Sequence, residues 1–169
     1  MMDLRSEERK ALDELIIKKI EDRGVSIKQI GELTYFLQEK YYNELTVDDC
    51  IENVLAVLKK REVQNAILTG IAMDELAEKG AFDEPLQDMI AKDYSLYGID
   101  EILAFSIVNV YGSIGFTNFG YIDKLKPGVL RELDVKDDIE GVCHTFLDDL
   151  IGAVAAAAAS RIAHGEKFD

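Results

Sequence analysis

Thr145-Phe-Leu-Asp-Asp-Leu-Ile-Gly-Ala-Val-Ala-Ala-Ala-Ala-Ala-Ser-Arg161 decides the fold. From Leu150 to Ser160 it carries no charge, and small side chains occupy every helical face. Alanine is the strongest helix former, so the stretch reads as a helix. A helix without a polar side has no solvent face and belongs in the middle of its domain. Two adjacent carboxylates, Asp148 and Asp149, stand at its entrance. Acids in a first helical turn gain about 0.3–1 kcal/mol from the helix dipole, and Thr145 with Asp148 matches a capping box. Turned inward instead, the same carboxylates need a compensating partner.

Working outward, the rest of the chain is also helical in period. Ser6 is a candidate cap for a first helix carrying Leu12, Leu15, Ile16 and Ile20, stopped by Gly24. Ser26 and Gln29 form a capping-box pattern ahead of Ile27, Ile30, Leu33, Leu37 and Tyr41. Thr46 opens a third helix, and Lys59-Lys-Arg-Glu62 separates it from a fourth that runs through Val63, Ile67, Ile71 and Leu76 to Gly80. Pro85 begins a short piece, and Gly98 marks a reset. The uncharged stretch from Ile102 to Ile122 is long enough for a bilayer, but its Ser, Asn, Thr and Gly content predicts two buried helices broken near Gly112-Ser113. Residues 131–141 read as a charged connection. The expectation is one all-α domain over residues 1–169, a multi-helix body around the alanine-rich helix, with no transmembrane span.

Composition narrows the function. With 33 acidic against 19 basic residues the formal charge is −14, which excludes nucleic acid as a natural partner and disfavours simple docking on anionic lipid. Cys50 and Cys143 match no zinc or redox spacing, and the charged first ten residues do not form a signal peptide, which predicts a reduced, cytoplasmic protein. Asp100-Glu101 and Asp148-Asp149 open the two most apolar segments. Helical neighbours differ by about 100°, so each pair is expected to aim one carboxylate inward and leave the other nearer solvent. Mg²⁺ suits such oxygen donors. Asp123 offers a third carboxylate, and its neighbour Lys124 or Lys126 a cation for a phosphate oxygen. His144, one turn before Asp148, is a further candidate. Lys59, Lys60 and Arg61, with Gln64 and Asn65, are a candidate anion site or a solvated turn. Tyr94, Tyr97 and Tyr111 are expected to flank the acidic site.

Three pieces, Gly98-Ile-Asp-Glu-Ile-Leu-Ala104, Tyr121-Ile-Asp-Lys-Leu-Lys-Pro127 and Phe146-Leu-Asp-Asp-Leu-Ile-Gly-Ala153, resemble the phosphatidylglycerophosphatase A family in type and order. The resemblance covers residues 97–165; residues 1–95 look like a soluble branch grouped with that family. It implies a Mg²⁺-dependent phosphomonoesterase that converts phosphatidylglycerophosphate to phosphatidylglycerol and phosphate. Asp100, Glu101, Asp123, Asp148 and Asp149 would then bind metal, with Asp100, Asp123, Asp149 and Lys126 catalytic. Gly120 stands where the family pattern has arginine, so Arg61 is a possible substitute for that phosphate ligand. The implied substrate is a phosphorylated small molecule or phospholipid head group, reached at most peripherally from the inner face of the membrane. Two other readings stay open: an all-α nucleotide pyrophosphohydrolase, and a non-catalytic module. The long apolar stretches predict a homo-oligomer, a dimer or tetramer.

Overall fold

The computed structural model describes residues 4–165, and no strand occurs among them. The first four helices are α1 (Leu4–Asp22), α2 (Ile27–Gln38), α3 (Val47–Leu58) and α4 (Arg61–Glu78). Local chemistry sets their ends. Ser26 and Gln29 exchange side-chain and backbone hydrogen bonds at the start of α2, and Thr46 and Asp49 do the same for α3. Gly24, at φ +87°, turns the chain after α1. Then come α5 (Leu86–Ala91), α6 (Ile99–Val108), a 3-10 turn (Asn109–Tyr111), α7 (Ser113–Leu125), α8 (Val129–Lys136) and α9 (Leu147–Ala163).

The last of these is the axis. Every residue of α9 from Leu147 to Ser160 is buried. Helices α2, α3, α4, α6, α7 and α8 pack around it. Alanine allows this: a methyl group on each face lets neighbouring backbones approach from several sides. The surrounding helices cooperate. Gly70 of α4 faces Leu150, Phe146 and Leu103, where any side chain would collide.

Several local expectations change. Ser6 lies inside α1 and caps nothing. Tyr41 falls beyond the end of α2 and is exposed. The charged segment 131–141 is partly helical, because Leu130 and Leu133 give α8 a buried stripe beneath its charges. The break at Gly112-Ser113 is present, but α6 and α7 are only half-buried: Ile102, Val110, Ile114, Phe116 and Tyr121 all face outward. No described helix is long and apolar enough to cross a membrane.

Exposed apolar residues on these elements are candidates for burial against a partner. We propose a dimer or tetramer formed through the side of α7 that carries Ile114 and Tyr121, seven positions apart on the helix and both exposed. Light scattering that returns the mass of one chain at micromolar concentration would refute this.

Candidate functional site

The entrance of α9 is fixed from a distance. Its first backbone N–H groups are buried and must find acceptors. Phe146 N–H and Leu147 N–H donate to the two oxygens of Asp74, each at 2.9 Å. Asp74 comes from α4 and is fully buried. The expected capping box is therefore absent: Phe146, not Thr145, is the capping residue, and the Thr145 hydroxyl donates instead to the Ile90 carbonyl at 2.6 Å. The preceding segment is clamped as well. Arg23 donates to both oxygens of Glu78, at 3.0 and 2.6 Å, and to the Cys143 carbonyl at 2.7 Å. Glu78 in turn accepts the Cys143 N–H at 2.9 Å.

Freed from capping, Asp148 points elsewhere. It lines a polar cavity of about 210 Å³ together with Asp93, Asp100, Glu101, Asp123, Asp149 and Lys126. The cavity lies where the loop before α6, the C-terminal end of α7 and the first turn of α9 meet. Lys126 follows α7 in the left-handed conformation, φ +46°, a helix-capping geometry usually left to glycine. Its Nζ donates to Asp123 Oδ1 at 2.8 Å and to Asp148 Oδ2 at 2.7 Å. Asp148 Oδ1 accepts the N–H of Asp149 at 2.8 Å. Tyr94 and Tyr97 complete the wall.

Six carboxyl groups thus face one ammonium. Burial and the neighbouring charges of Asp148, Asp100 and Asp123 push Asp149 up to about 10. Burial also raises Asp148, although Lys126 opposes it. Asp93 rises to about 6, through burial and then the charges of Asp148 and Asp100. For Lys126, burial alone would favour the neutral amine, but Asp148 and Asp123 outweigh it and hold the ammonium charged. The donors are hard oxygens in excess of positive charge, the chemistry that suits Mg²⁺. Among the described residues no three acidic, histidine or cysteine groups stand close enough together to enclose an ion as placed. Lys126 lies between two of the carboxylates that would have to converge.

All six residues singled out in the sequence, Asp100, Glu101, Asp123, Lys126, Asp148 and Asp149, meet in this one cavity. The first pair divides as expected, Asp100 buried and Glu101 exposed; the second does not, since Asp148 and Asp149 are both buried. His144 stays outside the cavity lining, with Nδ1 3.3 Å from the Leu133 carbonyl and 3.5 Å from Asp137. Tyr111 does not reach the site; its carbonyl accepts from Ser160 and its ring carries Lys60. Arg61 lines a different cavity. Two residues were missed, Asp74 and Asp93. Asp74 had left a trace: it continues the stripe of Val63, Ile67 and Ile71, where an acid is out of place. Asp93 left none, since it sits in a turn at φ +45° rather than in a periodic element.

Fold and cavity together define a class: an all-helical protein that gathers carboxylates and one lysine at the start of a buried central helix. The chain belongs to the phosphatidylglycerophosphatase A family, whose profile matches residues 25–164. It is 62% identical over 146 residues to YutG, an uncharacterized protein of Bacillus subtilis (strain 168), covering 86% of this chain and 87% of YutG. The crystal structure of the low temperature requirement C protein from Listeria monocytogenes is similar at 59% identity and a TM-score of 0.87, over 91% of this chain and 96% of that one. A protein of unknown function from Bacillus stearothermophilus is similar at 61% identity and a TM-score of 0.86, over 90% and 93% of the two chains. The match thus extends well beyond the three pieces noticed in the sequence.

The raised carboxyls make stability depend on pH. An acid whose folded pKa exceeds its unfolded value of about 4 supports the fold while protonated and loses that contribution as pH rises through the folded pKa. Asp93 at about 6, Asp137 at about 7, Asp74 at about 8 and Asp149 at about 10, all raised first by burial, place this loss between pH 4 and 10. In metal-free buffer the melting temperature should fall steadily from pH 5 to pH 9, and Asp149→Asn should flatten the fall. A pH-independent melting temperature would contradict this account. Asp74→Ala leaves two buried N–H groups unpaired and should cost about 2–4 kcal/mol in denaturant unfolding.

Proposed function

We propose that the acidic cavity is the active site of a Mg²⁺-dependent phosphomonoesterase, with phosphatidylglycerophosphate as its substrate. The observation that carries this reading is Lys126, held at 2.8 and 2.7 Å by Asp123 and Asp148 inside a cavity with four further carboxyl groups. A half-buried ammonium surrounded by acids attracts a phosphate only if another cation shares the acids, and family membership supports the same chemistry. Asp100, Glu101, Asp123, Asp148 and Asp149 would hold Mg²⁺. The ion would neutralise the carboxylates and polarise the phosphoryl oxygen.

The remaining work belongs to the chain. Lys126 would donate to a phosphate oxygen and offset its charge. Asp100, Asp123 and Asp149 would orient an attacking water by accepting its hydrogens. Water oxygen bonds to phosphorus as the ester P–O bond breaks, and the proton that the water gives up ends on the leaving oxygen. Asp93 lines the same cavity and is the candidate to exchange that proton. Lipid access is supported by the cavity wall: Leu96 is fully exposed at φ +67°, with exposed Tyr94, Ile99 and Ile102 close by in sequence. Such a rim suits peripheral contact with a membrane surface that holds the substrate.

Phosphate release from phosphatidylglycerophosphate in detergent, with Mg²⁺ and with chelator, tests the reading. Asp100→Asn, Asp123→Asn and Asp149→Asn should each stay folded and lose on the order of 10²-fold in Mg²⁺-dependent turnover, the scale for removing one preorganised charge. Lys126→Ala should raise KM while Mg²⁺ affinity changes little. Wild-type turnover in all four variants would reject the site. Release of pyrophosphate from nucleotides, with no orthophosphate from the lipid, would reassign the substrate.

A further inference from the structure

The lysine–arginine run noted in the sequence takes no part in the acidic site. Lys59 follows α3 and Arg61 begins α4; with Arg9 of α1 they line a separate cavity of about 390 Å³, floored by Gln64 and walled by Leu12 and Asp13. That volume lies within the range of small-molecule sites. Arg61 and Asp74 lie thirteen positions apart on α4, a helical rise of roughly 20 Å.

Charge makes this cavity unusual. Acids outnumber bases by 14 in the whole chain, and some cations elsewhere are matched: Lys19 with Glu75, Arg23 with Glu78, Lys92 with Asp88. Among the described residues Arg9, Lys59 and Arg61 have no acidic partner within ion-pair distance. The neighbouring acid is already engaged, since Asp13 Oδ1 accepts from Gln64 Nε2 at 2.7 Å. Gln64 is itself buried. Lys60 turns away, over the ring of Tyr111. Three positive charges against the single negative charge of Asp13 leave a net excess of two, which matches a phosphomonoester dianion. Two guanidinium groups add planar donor pairs that fit phosphate oxygens.

We propose that the cavity bounded by Arg9, Lys59 and Arg61 is a second, non-catalytic anion site that takes a phosphate monoester, free in solution or on a lipid head group. It works independently of the acidic cavity. Its ligand needs no divalent ion, because the site's own charge is already positive. Binding weakens with salt, since the cations are exposed and the molecule as a whole repels anions.

Calorimetric titration of the full chain with glycerol 3-phosphate, in low salt with EDTA, tests this. Wild type should bind, and the double variant Lys59→Ala, Arg61→Ala should bind at least tenfold more weakly with an unchanged melting temperature. Asp149→Asn should bind as wild type does, which separates this site from the acidic one. A second arm uses vesicles of phosphatidylcholine with and without phosphatidic acid. Sedimentation only with phosphatidic acid, lost in the double variant, identifies a lipid-borne monoester; binding of glycerol 3-phosphate alone identifies a soluble one. No binding of either probe by wild type, or equal binding by wild type and the double variant, overturns the proposal.

Discussion

A helix surrounded by protein has nowhere to send the N–H groups of its first turn, and the rest of this structure follows from how that demand is met. Asp74, from a different helix, receives two of them at 2.9 Å each. This contact sets the axial position of α9 against α4, while Arg23 and Glu78 hold the preceding backbone in place. With the cap supplied from outside, the two aspartates of the first turn are released from local duty. One consequence is structural and the other chemical: the entrance of α9 is rigid, and its carboxyls line a cavity, with one oxygen of Asp148 still accepting the N–H of Asp149.

That rigidity is what makes the charge arrangement possible. Burying ionised carboxyls together costs several kcal/mol each unless a partner compensates. Within the fold a single ammonium, Lys126, meets this demand only in part, and Asp149 is left pushed up to about 10. A fluid entrance would relieve the repulsion by turning acids toward water. Here the clamp around Cys143, the cap on Phe146 and the alanine packing behind them leave little room for that.

How much of this was legible in the sequence depends on range. Signals confined to a few residues read correctly: the box at Ser26, the helix start at Thr46, the stop at Gly24, the break at Gly112-Ser113, and the uncharged run that becomes the axis. The six cavity residues were legible because they punctuate the most apolar segments and match a family pattern. Long-range decisions were hidden. Nothing near Thr145 reveals that a residue 72 positions from Phe146 will cap the helix and cancel the local box. Burial of both Asp148 and Asp149 was hidden for the same reason, since a helical wheel assumes one face turns outward and α9 has none at its entrance. The short α8 was masked by its charges, although Leu130 and Leu133 mark its inner side.

The position of the axis in the chain order has a consequence for synthesis. The helices that surround residues 147–163 are all made before them, and the apolar faces they will present to α9 have no permanent occupant until those residues leave the ribosome. Completion of the core is therefore a late, all-at-once event rather than a vectorial one. Exposed apolar faces during that interval are the condition under which nascent chains aggregate or recruit chaperones. Translation that halts before residue 147 leaves a ring without a hub, whatever the quality of the helices already made.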